Sequence, residues 1–128
     1  MEKNLAKYGP LPLRVMLGVI FLVPGVMKLL DPSMPTGMLA GLGFPAAAAW
    51  AWLLIAVEIV GGVLLLVGWK IKYAVLPLMV ILLVATVLVH IPSVAQNPQN
   101  VMAVLFHVLG VAGLLSLFFT GAGAVAIE

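Results

Sequence analysis

Cysteine is absent from the 128 residues. That excludes a disulfide, a thiolate relay or cysteine-ligated iron–sulfur chemistry within this chain. Charge is scarce too. Asp, Glu, Lys and Arg make up 8% of the residues, against about 25% in a soluble domain. So few charges cannot solvate the surface of a globular protein. The net charge of +2 is too small for a nucleic-acid surface, and no nucleic-acid partner is expected. No Gly-rich phosphate loop, metalloprotease helix motif or nucleophile elbow occurs.

What is present is apolar: 65% of residues are hydrophobic and the mean hydropathy is +1.31. Four apolar stretches stand out, at about 11–30, 46–67, 73–90 and 101–120. Each reaches or approaches the roughly 20 residues that cross a bilayer as a helix. In lipid every backbone amide needs an internal partner, so such stretches must be helical. The expected fold is all-α, a single integral membrane bundle of four transmembrane helices in the cell membrane. The first stretch does not read as a cleaved signal peptide, because it holds Arg14, Pro24 and Lys28 and ends in Lys-Leu-Leu-Asp-Pro. Lys3, Lys7, Lys70 and Lys72 fall on the side shared by both termini, with Arg14 just inside the membrane and Lys28 alone opposite. The positive-inside rule then puts both termini in the cytoplasm.

Glu58 is the one ionisable group in the stretch from Ala46 to Gly68. At that depth a carboxylate costs at least about 2.5 kcal/mol unless it is paired or neutralised. Helix one carries a stripe of Arg14, Gly18, Phe21, Gly25 and Lys28, stepping by four and three, so all five share a face. Its glycines let a neighbouring helix approach closely, as do Gly61 and Gly62 beside Glu58. Centring the spans on the membrane puts Glu58 level with Phe21, with Arg14 and Lys28 each about 10 Å away along the axis. Arg14 is the expected partner of Glu58 and Lys28 the alternative, with Asp31 a second partner for Lys28. A protonated Glu58, hydrogen-bonded across helices, is the third possibility.

His90 is expected to cap helix three, with His107 two turns into helix four. Either serves as an interhelical hydrogen-bonding group, a proton relay or a clamp on a ligand head group. His90 and His107 with Met27, Met34, Met38 and Met102 offer soft ligands for Cu(I), but the spacing matches no metal motif, so no metal site is assigned. Pro24 predicts a kink near Ile20. The loop 31–45, with Met34, Met38, Leu39, Leu42 and Phe44, is expected to dip into the interface or cap the bundle.

The stretch Arg14-Val-Met-Leu-Gly18-Val-Ile-Phe21-Leu-Val-Pro-Gly25-Val-Met-Lys28-Leu resembles the opening of DoxX-type membrane proteins. Gly43-Phe-Pro45, Glu58-Ile-Val-Gly61-Gly62, Gly68, His90 and the tail Gly121-Ala-Gly123-Ala-Val-Ala-Ile-Glu128 fit the same pattern in order. The chain departs from it at Pro24, where a histidine is common, and near Asn100, where an acid is common. The resemblance implies four membrane helices and a redox-associated subunit near the quinone pool. DoxD-like relatives belong to a thiosulfate:quinone oxidoreductase, and others are linked to oxidative-stress complexes with superoxide dismutase. On that footing Glu58 and His107 are the candidate catalytic, proton-exchanging groups. Arg14, Gly18, Phe21, Gly25, Lys28, Glu58, Gly62, His90 and His107 are the candidate ligand-binding set, with a quinone as the ligand. An electron donor would have to come from a partner subunit. The other two expectations are an accessory or assembly subunit docking partner helices or a second copy, and a small transporter or channel protomer.

Overall fold

The computed structural model describes residues 2–127, with side chains from Asn4 onward. Glu128 and the side chain of Lys3 lie outside the described residues. The described chain is helical, with no strand. In order it comprises α1 (Glu2–Ala6), α2 (Pro10–Leu30), α3 (Ser33–Gly41), α4 (Ala47–Val67), α5 (Ile71–Ala85), a π-helical turn (Thr86–His90), α6 (Ile91–Val94), a 3₁₀ turn (Pro98–Asn100) and α7 (Val101–Thr120). α5, the π turn and α6 form one continuous rod. Four of the described helices are therefore long and apolar enough to cross a membrane: Asn4–Leu30, Ala47–Val67, Ile71–Val94 and Pro98–Thr120. The protein is a multi-pass integral membrane protein.

α2 lies against α4, α4 against α5, α5 against α7, and α7 returns to α2. The tightest of these contacts is made where side chains are missing. A Cβ on Gly62 would sit 2.9 Å from the Gly18 carbonyl, and one on Gly18 would sit 3.0 Å from the Gly62 carbonyl. Backbone thus rests on backbone, and this fixes the register of α2 on α4. A Cβ on Gly25 would lie 3.1 Å from the Glu58 Cβ. Glu58 is therefore level with Gly25, not Phe21. The expected register was one turn out because it centred each span on the membrane. The glycine contact sets it instead, and it brings Lys28 a turn nearer to Glu58.

The bundle is solid at one end only. Leu17, Leu65, Ile71, Val75, Leu78, Leu114 and Leu117 are packed together and almost wholly buried at the end that carries both termini. Towards the other end α7 contributes nothing fully buried before Gly113. There the helices part.

Two local features depart from the sequence expectation. The loop 31–45 contains a helix, α3, which packs on α4. The third span continues to Val94 rather than ending at His90. Pro92 has no N–H to give and its ring crowds the carbonyl one turn back. The π turn accommodates this: the Ile91 N–H bonds back to the Thr86 carbonyl, five residues earlier. The Thr86 hydroxyl donates to the Leu82 carbonyl at 2.6 Å, and the Ser93 hydroxyl to the His90 carbonyl at 2.6 Å. His90 is thus held inside a rod, not at its cap.

Candidate functional site

Arg14 has no exposed surface, and it does not reach Glu58. It makes five hydrogen bonds to backbone carbonyls. Nε donates to the Ala122 carbonyl (3.1 Å). Nη1 donates to Leu65 (2.8 Å) and Leu66 (3.0 Å). Nη2 donates to Ala124 (3.2 Å) and Val125 (2.7 Å). The reason lies at the end of α4, where the last four carbonyls lack helical partners. Leu64 is served by the N–H groups of Gly68 and Trp69, Leu65 and Leu66 by Arg14, and Val67 by the Ile127 N–H. Gly68 closes the helix at φ 73°, and a Cβ there would meet Ala126 and Arg14. A cation at a helix C-terminus also suits the helix dipole. Arg14 therefore seams the tail (122–127) to the bundle, and the Ala124 N–H bonds the Lys7 carbonyl at 2.8 Å to complete it. The expected Arg14–Glu58 pair is overturned: Arg14 turns Nη1 to the cap of α4 and Nε and Nη2 to the tail, and Glu58 pairs with Lys28.

Lys28 takes its place. Its ammonium lies 2.6 Å from Glu58 Oε1, with side-chain exposures of 29% and 4%. Asp31 is engaged instead by the Ser33 hydroxyl, so the expected Lys28–Asp31 pair is not formed. Glu58 sits about 14 Å from the C-terminal end of α4, near mid-height. Its Oε2 is buried and has no hydrogen-bond partner among the described residues. Oε1 alone is paired, so one of the two carboxylate oxygens makes no bond there.

The pair forms part of the wall of a cavity of about 750 Å³, in the half of the bundle where the helices part. The wall is apolar almost throughout, with Phe21, Leu54, Val57, Ile81 and Phe106 among its members. Its ionisable members are Lys28, Glu58, His90 and His107. Leu42 and Trp50 line it while remaining 39% and 47% exposed, so it reaches the surface. The two histidine rings are 4.0 Å apart at 36°. His107 Nδ1 lies 2.7 Å from the Ala103 carbonyl, so Nδ1–H donates there and Nε2 is the nitrogen left for other partners.

Phe21, Lys28, Glu58, His90 and His107 are thus gathered around one cavity, whereas Arg14, Gly18, Gly25 and Gly62 are not in its wall. The glycines serve helix contact and Arg14 serves the tail. Trp50 and Pro77 in the wall were not singled out as site residues in the sequence. Each reads there as a membrane-interface or first-turn residue, so no sequence signal marked them. Among the described residues no group of three or more His, Asp or Glu is placed to hold a metal ion.

Four membrane helices around a largely apolar intramembrane cavity define a small helical membrane protein with a Lys28–Glu58 ion pair in the cavity wall. The family model for DoxX matches residues 9–91. The chain belongs to the DoxX family. No curated protein and no solved structure matches it.

Proposed function

We propose that the protein binds a lipophilic ring compound of quinone type in the cavity, from within the bilayer, as a redox-associated membrane subunit. One observation carries this: Glu58 lines an otherwise apolar cavity and has a buried carboxylate oxygen without a partner among the described residues. An acid at mid-membrane is costly to keep, and such groups mark ligand or proton pathways. The volume falls within the roughly 300–1,000 Å³ of small-molecule pockets. Apolar walls suit a ring and its hydrocarbon tail, and the four ionisable groups suit a small oxygen-bearing head.

A bound quinone supplies exchange of two electrons and two protons. This chain's residues would position the head and handle protons. Lys28 holds Glu58 in place and offers its two remaining N–H donors. Glu58 Oε2 and His107 Nε2 accept protons or hydrogen bonds from the head group. His107 is held in orientation by the Ala103 carbonyl and by the His90 ring packed against it. Electrons would come from a partner subunit.

A decyl-substituted benzoquinone titrated into the purified protein tests the idea. Saturable thermal stabilisation is expected, and Ala85→Phe, which fills the cavity wall, should abolish it. No stabilisation, or stabilisation unchanged by Ala85→Phe, would overturn it. A second reading, a non-catalytic accessory subunit, draws support from α7. Only 17% of that span is buried, against 28–33% of the other three, so its outer face is free for lipid or a partner helix.

A further inference from the structure

Resting on ligand binding in this cavity, we propose that the site selects for a hydroxyl on the ligand ring. It would hold the reduced, hydroxyl-bearing form of a quinone-type compound, or a phenol of similar shape, in preference to the carbonyl form.

The selection follows from hydrogen-bond polarity. Lys28 and Glu58 form an ion pair at 2.6 Å, so both carboxylate oxygens are acceptors. Oε1 is used by Lys28; Oε2 is buried and unused. The ammonium has three donors and spends one on Oε1. The pair therefore offers donors from Lys28 and one acceptor from Glu58. A hydroxyl satisfies both at once, accepting from Lys28 and donating to Oε2. A carbonyl can accept from Lys28 but sets its own lone pairs against Oε2. Displacing the carboxylate's surroundings without giving it a proton donor leaves a buried acceptor unpaired, which is the costly outcome. At His107 the Nδ1–H is committed to the Ala103 carbonyl, which leaves Nε2 as the ring nitrogen without that bond.

A site that discriminates a hydroxyl by an otherwise unpaired group rejects the analogue lacking the hydrogen far more strongly than a shape-based pocket can. With a charged acceptor the expected preference is about ten-fold or more in Kd.

The test uses two ligand pairs on the full chain in detergent micelles, read by isothermal titration. The first pair is redox-inert: 4-decylphenol and 4-decylanisole, which differ by replacement of the hydroxyl hydrogen with methyl. The second is decylhydroquinone and decylbenzoquinone under anaerobic conditions. The phenol should bind at least about ten-fold tighter than the anisole, and the hydroquinone tighter than the quinone. Glu58→Gln, whose amide both donates and accepts, should shrink both ratios to about three-fold or less. Equal binding within each pair, or tighter binding of anisole and quinone, overturns the hydroxyl preference while leaving ligand binding intact. Binding of none of the four overturns both. A ratio unchanged in folded Glu58→Gln removes Glu58 as its source. If Glu58→Gln does not fold, the wild-type ratios alone decide.

Discussion

Replacing Arg14 by Met separates two roles that the sequence leaves open. The side chain is fully buried and donates to five carbonyls. Hydrogen bonds from a charged donor contribute about 1.5–3 kcal/mol each, but five of them do not add, because the protein relaxes when they go. The tail carbonyls of Ala122, Ala124 and Val125 can swing out to water. Those of Leu65 and Leu66 sit at the end of a packed helix and cannot. Two buried acceptors left unpaired at about 1–3 kcal/mol each give a loss of roughly 2–6 kcal/mol. The assay is unfolding in detergent, with hydrogen exchange at the tail. Exchange of the Ala124 and Ile127 amides should rise sharply, since both are bonded only while the tail stays docked. The double variant Arg14→Met/Glu58→Gln should be additive within about 0.5 kcal/mol, as expected for groups that do not touch. A loss under about 1 kcal/mol with a protected tail would refute the capping role. Rescue of Arg14→Met by Glu58→Gln would revive the Arg14–Glu58 pair.

The remaining expectations concern Glu58 and the helix contacts. Lys28→Met strands a buried carboxylate and should cost about 3 kcal/mol, whereas Lys28→Met/Glu58→Met should recover most of it; a double-mutant cycle with coupling below about 0.5 kcal/mol would contradict the pair. Gly62→Ala drives a Cβ to 2.9 Å from the Gly18 carbonyl and should destabilise by about 1–3 kcal/mol in thermal unfolding, while Gly37→Ala, with open space around it, should be tolerated. Gly68→Ala combines a left-handed backbone at φ 73° with a collision at Ala126, and should cost more than the roughly 1–2 kcal/mol of the backbone alone. Pro92→Ala restores an N–H and lets the π turn relax to α. His90 should then rotate off His107, which ring-proton NMR would register as a shift change on both histidines.

The spans were legible in the sequence because composition alone decides them: a chain with this little charge cannot solvate four long apolar runs. The gathering of Lys28, Glu58, His90 and His107 was legible as depth, since all four were expected in one half of the bundle. The choice between Arg14 and Lys28 was not. It turns on backbone carbonyls at the end of α4 and on a tail of Gly and Ala, and main-chain acceptors leave no trace in side-chain pattern. The register of α2 on α4 was implicit in Gly18 and Gly62 but needed the contact itself to fix it. The third span was expected to end at His90; instead it runs on through a π turn against which α7 packs.

The central claim is most directly tested by native mass spectrometry of the protein taken from its membranes without exchange of lipids. Wild type is expected to carry a compound with an oxygen-bearing ring and an apolar tail, lost from Ala85→Phe. Wild type bare, or carrying only phospholipid that Ala85→Phe retains equally, would contradict it.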